Sequence, residues 1–435
     1  MEIFLLLLQI PLLIFIIKYI RKLNSDPLLV NAYYYLLSIK VTAGLILGVL
    51  YFSYYKYGDT VSFCGYLDFL DELFYSNPKD YARLIFFGEI SHGLENVPLD
   101  FRDMRVFIFI RIISPFYILS SSNYWILSVY LSLFSFFGLW ILSNTLIKLY
   151  NLKPLVIVIS FFTFPSVVFW SSGVIKESLT IGIMCIIISL ILNLATRQGH
   201  FSILKFVVLL CFSYVLLYMK FYYFVVLFAV ILPYGFVKYF YNTVEVLRIN
   251  KSYRISLFIS LLLVMAIVAS FAHPLININI IFETLYLNYQ TTLGLTDFNT
   301  YTFEGLSSNP ASFISHIPKA LSYGIFGPFL WQCKNLITLL NGLENTLLLI
   351  LFITFLLTNF RKEKLMKIDI EVISLVVYVS TLAIFMAFAS PNWGSLVRYK
   401  IGYLPFFLLL ILNNNPIIFQ LERVFSFLNR SEKKS

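Results

Sequence analysis

An all-α fold is predicted, a polytopic bundle of about eleven transmembrane helices with two long outward loops that carry surface helices. Three observations predict it. Apolar residues make up 60% of the 435-residue chain and charged residues 12%, with mean hydropathy +0.85; a soluble domain is about half apolar and about a quarter charged. Apolar runs long enough to cross roughly 30 Å of hydrocarbon at about 1.5 Å per residue recur along the whole chain. Lys and Arg gather in short clusters between those runs, so the net charge of +10 reads as positive-inside topology rather than as a nucleic-acid surface.

The apolar runs fall at 3–20, 38–55, 123–143, 154–170, 174–194, 203–219, 221–237, 255–273, 343–359, 370–389 and 401–413. The first has no basic region before it and no small-residue cleavage site after it, so it is expected to be a retained helix rather than a signal peptide. Arg21, Lys22 and Lys40, then Lys148 and Lys153, Arg197 and Lys205, Lys238, Arg248, Lys251 and Arg254, Arg361, Lys362, Lys364 and Lys367, and the tail from Arg423 to Lys434 are all assigned to one side. That side is the cytoplasm. One span per run then gives an outside N-terminus, a cytoplasmic tail at 414–435 and a single integral membrane domain over 1–435. Cys64, Cys185, Cys211 and Cys333 have no CxxC spacing and are expected as free thiols, a Cys64–Cys333 disulfide being the alternative.

Two segments are left facing outward, 56–105 and 274–341. In the first, Asp68, Asp71 and Glu72 recur at i, i+3 and i+4, and Leu67, Leu70 and Phe74 mark an apolar face, the pattern of a helix lying on the membrane surface. The run 106–120 holds Arg111 and Pro115 and is assigned an interfacial or re-entrant path, which extends the first outer loop to 120. The second loop ends in Phe326-Gly327-Pro328-Phe329-Leu330-Trp331-Gln332, aromatic residues suited to the headgroup level. No internal repeat is evident.

Chemistry should come from polar groups at the outer ends of the spans. Asp59, in Gly58-Asp59-Thr60, either turns the chain as it leaves the bilayer or serves as a partly buried carboxylate of raised basicity that accepts a proton from a hydroxyl. The acidic trio Asp68, Asp71 and Glu72 reads as a solvated helix face; a divalent cation there is the alternative, and no other cofactor is called for. In Phe164-Pro165-Ser166 through Ser171-Ser172-Gly173 to Lys176-Glu177, Pro165 interrupts a span and a tight outward turn precedes two ionisable residues. Such residues at the edge of a bundle usually face a protein or water-filled interior; the plain alternative is an acid favouring a helix N-terminus and a snorkelling lysine. Lys220, among tyrosines, caps another outward hairpin. Ser390-Pro391-Asn392-Trp393 leads to Arg398-Tyr399-Lys400, where a planar guanidinium and a mobile ammonium suit phosphate. Glu89, Glu95, Asp100 and Asp103 are dispersed, and His92, His200, His273 and His316 are too scattered for a metal triad.

This layout resembles the GT-C superfamily of polyprenyl-phosphate-sugar glycosyltransferases: a span, a large outer loop with an acidic residue near its start, several short-looped spans and a second long outer loop. The resemblance implies a bacterial cytoplasmic-membrane enzyme. Its partners would be a polyprenyl-phosphate-linked sugar donor, a glycan or lipid-linked acceptor and membrane lipids, with no nucleic acid. Asp59 would take the acceptor proton, and Arg398, Lys400 and Lys176 would stabilise the leaving phosphate, with Glu177 orienting Lys176 and Tyr66 and Lys220 lining the substrate. Gly58-Asp59-Thr60 with Tyr66, the Ser-Gly-Val-Ile-Lys-Glu turn and Arg398-Tyr399-Lys400 also resemble features of O-antigen and capsule polymerases. A non-enzymatic flippase or transporter of lipid-linked oligosaccharide is the third reading. Broken mid-membrane helices and repeats favour transport, whereas ionisable groups at the outer ends favour surface chemistry.

Overall fold

The computed structural model describes residues 2–24, 26–89, 103–197, 202–272, 277, 280–295, 299–359 and 368–423. His92, Glu95, Asp100, His200, His273, the basic residues from Arg361 to Lys367 and the tail from 424 lie outside the described residues. Among the described residues there is no strand, only an isolated bridge between Thr300 and Asn392.

The helices in chain order are α1 (Glu2–Arg21), α2 (Pro27–Val49, prolonged by π-helical turns Leu50–Tyr55), α3 (Asp59–Ser76), α4 (Pro78–Phe87), α5 (Met104–Leu119), α6 (Tyr124–Tyr150), α7 (Pro154–Ile157, prolonged by π-helical turns Val158–Thr163), α8 (Pro165–Phe169), α9 (Lys176–Ala195) and α10 (Ile203–Met219). They continue as α11 (Phe221–Phe240), α12 (Glu245–Ile249), α13 (Lys251–Ala272), α14 (Ile281–Leu295), α15 (Pro310–Phe326), α16 (Leu336–Asn359), α17 (Ile370–Ala389), α18 (Trp393–Tyr399) and α19 (Leu404–Leu412).

Among the described residues, seven helices are long and apolar enough to cross a membrane: Pro27–Tyr55, Tyr124–Tyr150, Lys176–Ala195, Phe221–Phe240, Lys251–Phe271, Leu336–Asn359 and Ile370–Ala389. An eighth candidate is the pair Trp393–Gly402 and Leu404–Leu412, bent by 65°. The chain is an all-helical membrane protein. The other expected spans take different forms. The run 154–170 is broken into short pieces, because Pro165 cannot continue the π-helical turns before it. The run 203–219 is a helix of 17 residues, short for a full crossing.

One expectation is corrected at the second run. Helix α2 starts at Pro27, not near residue 38: Asp26 accepts the Leu29 N–H at 3.1 Å and Pro27 occupies the first turn. Lys40 therefore lies mid-helix and 1% exposed, not in a cytoplasmic cluster.

The chain packs as two compact units. The first comprises Met1–Lys148, Val168–Leu190 and Ser202–Phe221; the second comprises Leu149–Val167, Ile191–Phe201 and Tyr222–Ser435.

In the first unit, the stretch expected to lie on the membrane surface is a packed layer of α3, α4 and α5. Leu67, Leu70 and Leu73 of α3 are buried. Tyr117 of α5 donates to Asp68 at 2.6 Å, Tyr81 of α4 pairs with Ser114 of α5 at 3.1 Å, and Arg111 donates from Nε to the Ile85 carbonyl at 2.8 Å. Arg111 thus stitches α5 to the end of α4. Burial and the Asp68 contact hold the Tyr117 phenol above its ordinary range, and burial pushes the Cys64 thiol up to about 12, with Asp68 adding to it. All four cysteines are free thiols.

In the second unit, tyrosine hydroxyls satisfy carbonyls at helix ends, as an apolar setting demands. Tyr403 donates to Gly324 O and Tyr378 to Gly402 O, both at 2.7 Å, and Tyr301 donates to Ala387 O at 2.8 Å. Arg254 of α13 pairs with Asp369, the N-cap of α17, and Lys238 of α11 pairs with Glu371. Burial alone would raise the Asp369 carboxyl; the Arg254 hydrogen bond, the Ile370 N–H and nearby cations outweigh it and hold Asp369 below its ordinary value.

Candidate functional site

The turn between α8 and α9 organises the first unit. Ser171, Ser172, Val174, Ile175, Glu177 and Ser178 are all completely buried, so the turn is present where the sequence places it but covered rather than solvated. Its conformation is fixed from several sides. Ser172 donates to Val168 O at 2.6 Å and Ser178 to Gly173 O at 2.8 Å; Gly173 N–H donates to Ser132 of α6 at 3.0 Å. Gly173 has φ +75°, and a Cβ there would stand 3.0 Å from the Gly44 carbonyl. A Cβ at Gly44 would in turn lie 2.4 Å from Ser132 Oγ. Two glycines thus let α2 and the turn meet backbone to backbone, with the Ser132 side chain of α6 packed against both.

Lys40 reaches this turn from α2 and donates to Ser171 Oγ. An ammonium at such depth is costly unless partnered. The sequence reading missed it; the signal was the Asp26-Pro27 helix start, which puts Lys40 inside the span.

Beyond the turn, Glu177 accepts from Lys220 Nζ at 2.8 Å, and the lysine side chain is 14% exposed. The acid expected to orient Lys176 holds Lys220. Lys176 itself is half-buried, its ammonium 5.5 Å from the centroid of the Phe63 ring on α3. Phe63 packs on Phe109 of α5 at 5.0 Å. Asp59, half-buried in the first turn of α3, and Tyr66 share the helix face of Phe63 by their i, i+4, i+7 spacing. The adjacent Thr60 is tied to the turn, donating to Val174 O at 3.2 Å. The α3 start is therefore fastened to the segment that carries Lys176 and Glu177.

Asp103, uninformative in the sequence, joins this surface. As the N-cap of α5 it accepts from Arg105 N and Nε, both at 3.0 Å. Burial pushes its carboxyl up, but the Arg105 hydrogen bonds and charge outweigh that and, with the field of Lys176, hold it below the ordinary carboxylate value. The first unit thus gathers Asp59, Tyr66, Lys176, Glu177 and Lys220 of the predicted residues, with Lys40, Asp103 and Arg105 added.

No family model, curated protein or solved structure matches this chain.

Arg398 and Lys400 belong to the second unit. Arg398 on α18 is half-buried, with its guanidinium 5.2 Å from the Tyr399 ring centroid and Nη2 3.3 Å from the Tyr399 hydroxyl. Lys400 is corrected: it is 1% exposed, and its Nζ donates to Ile325 O at 2.9 Å, Gly327 O at 2.5 Å and Asn345 Oδ1 at 3.1 Å. All three ammonium donors are consumed, so it staples the end of α15 to α16 and is no mobile phosphate ligand. Sequence reasoning also passed over Glu344 in α16, whose carboxylate accepts from Ser166 N at 3.1 Å and Ser166 Oγ at 2.7 Å. An acid within an apolar run was its signal. Among the described residues, no group of three or more His, Cys, Asp or Glu side chains is arranged to hold a metal ion.

Proposed function

We propose that this protein is a membrane glycosyltransferase with a GT-C-like arrangement of about eleven crossings. It moves a sugar from a polyprenyl-phosphate donor to a glycan or lipid-linked acceptor at the outer face of a bacterial cytoplasmic membrane. The observation that carries the reading is the fastening of Asp59 and Lys176 to one surface of the first unit. Thr60 bonds the turn and the Phe63 ring centroid lies 5.5 Å from the Lys176 ammonium, which supports reading Asp59 as a base and Lys176 as a cation that act on one substrate. A polyprenyl-phosphate-linked sugar and its acceptor have the matching chemistry: an acceptor hydroxyl to deprotonate, a donor phosphate to neutralise and an isoprenoid tail for the bilayer.

In this mechanism the acceptor hydroxyl attacks the anomeric carbon and Asp59 takes its proton. The bond from that carbon to the phosphate oxygen breaks, and the phosphate leaves with the electron pair. Lys176 offsets the charge that develops on it. The buried Glu177–Lys220 pair keeps the start of α9 in place rather than contacting the reacting atoms. Arg398, in the second unit, is proposed separately as a phosphate-binding group. Lys400 has no part in the chemistry.

Glycan analysis of a deletion strain, with its lipid-linked pool, tests the reading. Loss of one specific sugar supports transfer. Single repeat units displayed outside would point instead to a polymerase, lipid-linked units retained inside to a flippase, and an unchanged glycan would defeat all three.

A further inference from the structure

The second unit holds a cleft of about 270 Å³ between the segment 299–304, α15, the 330–334 turn and the start of α18. Its frame is built from buried parts. Trp393 is 3% exposed and lies 4.2 Å from Tyr301 and 5.2 Å from Tyr323, ring centroid to ring centroid. Two backbone bonds tie the segments of this frame, from Trp393 N to Asn299 O at 2.8 Å and from Tyr301 N to Pro391 O at 3.1 Å. The Tyr301 hydroxyl is held by Ala387 O and Ser390 O. Such a frame is pre-organised, which lowers the ordering cost of binding.

The groups lining it are polar where an acyl chain would need them apolar: Asn299, Glu304, Lys319, Tyr323, Gln332 and Lys334. The carboxyl and amide groups supply acceptors and donors for sugar hydroxyls, and the Tyr323 ring, with the Lys319 ammonium 5.5 Å from its centroid, adds aromatic surface beside that cation. Gln332 is oriented, its Oε1 accepting from Phe329 N–H at 2.9 Å, so that its amide nitrogen remains as donor. Two ammonium groups and one carboxylate line the cleft. Lys319 uses one of its three donors on Thr302 O at 3.1 Å, and Lys334 is exposed at the rim.

We propose that this cleft binds a sugar residue bearing a carboxylate. The inference rests on the transferase reading and deepens it, since an acidic sugar would then belong to the acceptor glycan. Sugar hydroxyls meet Asn299, Glu304 and Gln332, the ring lies on Tyr323, and the carboxylate is shared by Lys319 and Lys334.

The test uses the full chain in lipid nanodiscs and saturation-transfer NMR with two probes, methyl β-D-glucuronide and methyl β-D-glucoside. The glucuronide should bind about tenfold more tightly than the neutral sugar, the scale of one charge-assisted hydrogen bond. Lys319→Gln and the rim variant Lys334→Gln should each shrink that preference, and Tyr323→Leu should weaken both sugars. Asp59→Asn should bind the glucuronide as the natural chain does, so that failure of transfer and failure of this cleft are read separately. Equal affinity for the two sugars, no glucuronide binding, or a preference unchanged in both lysine variants overturns the proposal.

Discussion

Lys220 Nζ stands 2.8 Å from Glu177 Oε1, and the glutamate side chain has no exposed surface. An acid and a cation far apart in sequence thus tie the start of α9 to the end of α10 in the first unit. Removing only the lysine leaves a buried carboxylate without its cation, at a cost of about 3–5 kcal/mol. Lys220→Met should therefore lower the melting temperature of the solubilised protein sharply, while Glu177→Gln combined with Lys220→Met should recover most of the loss. Equal melting of the single variant and the natural chain would contradict the pairing.

Lys40 gives the opposite expectation. Its ammonium is buried mid-helix and donates to the neutral Ser171 hydroxyl. Methionine has similar length and needs no solvation, so Lys40→Met should hold or raise thermal stability. If the lysine serves the turn that carries Lys176, the same variant should lose surface glycan. A melting temperature well below that of the natural chain would show that Lys40 is purely structural.

Neighbouring cations in the second unit should behave differently from each other. Lys400→Met orphans buried carbonyl acceptors, each worth about 1–3 kcal/mol, and should reduce protein abundance. Arg398→Ala, on a half-buried guanidinium, should keep abundance and lower transfer. Quantitative immunoblotting beside glycan analysis separates the two outcomes; equal abundance of both variants would refute the staple role of Lys400.

Asp369 sets an acid limb. Its folded carboxyl lies below the ordinary value, since the Arg254 contact outweighs burial. A depressed folded value stabilises above the unfolded value and is lost as pH falls through the folded one. Stability should therefore fall at pH below the usual carboxylate range, and Asp369→Asn should flatten that part of the profile. A melting-temperature profile between pH 3 and 6, to be run on both proteins, checks it; identical acid limbs would exclude Asp369 as a contributor.

Hydropathy made seven long apolar helices legible among the described residues, because a helix able to cross a membrane must be apolar along its length. The helix marked by Leu67, Leu70 and Phe74 was legible from its apolar spacing, whereas its start at Asp59, read as a turn leaving the bilayer, was not. Lys40 was misplaced because the apolar run begins well after the Asp26-Pro27 cap that actually starts the helix. Lys400 was misread because its sequence neighbours are those of an interfacial segment, while its three acceptors come from α15 and α16. The meeting of Asp103 with the field of Lys176 arises from packing of α5 near the α9 start, which no spacing encodes.

The central claim is that Asp59 and Lys176 act together on a lipid-phosphate sugar, and the most direct measurement is sugar transfer by purified Asp59→Asn and Lys176→Met proteins of unchanged melting temperature. Transfer should fall roughly 10²–10⁴-fold for the base and roughly 10²–10³-fold for the cation. Transfer at the natural rate in both variants would contradict the account.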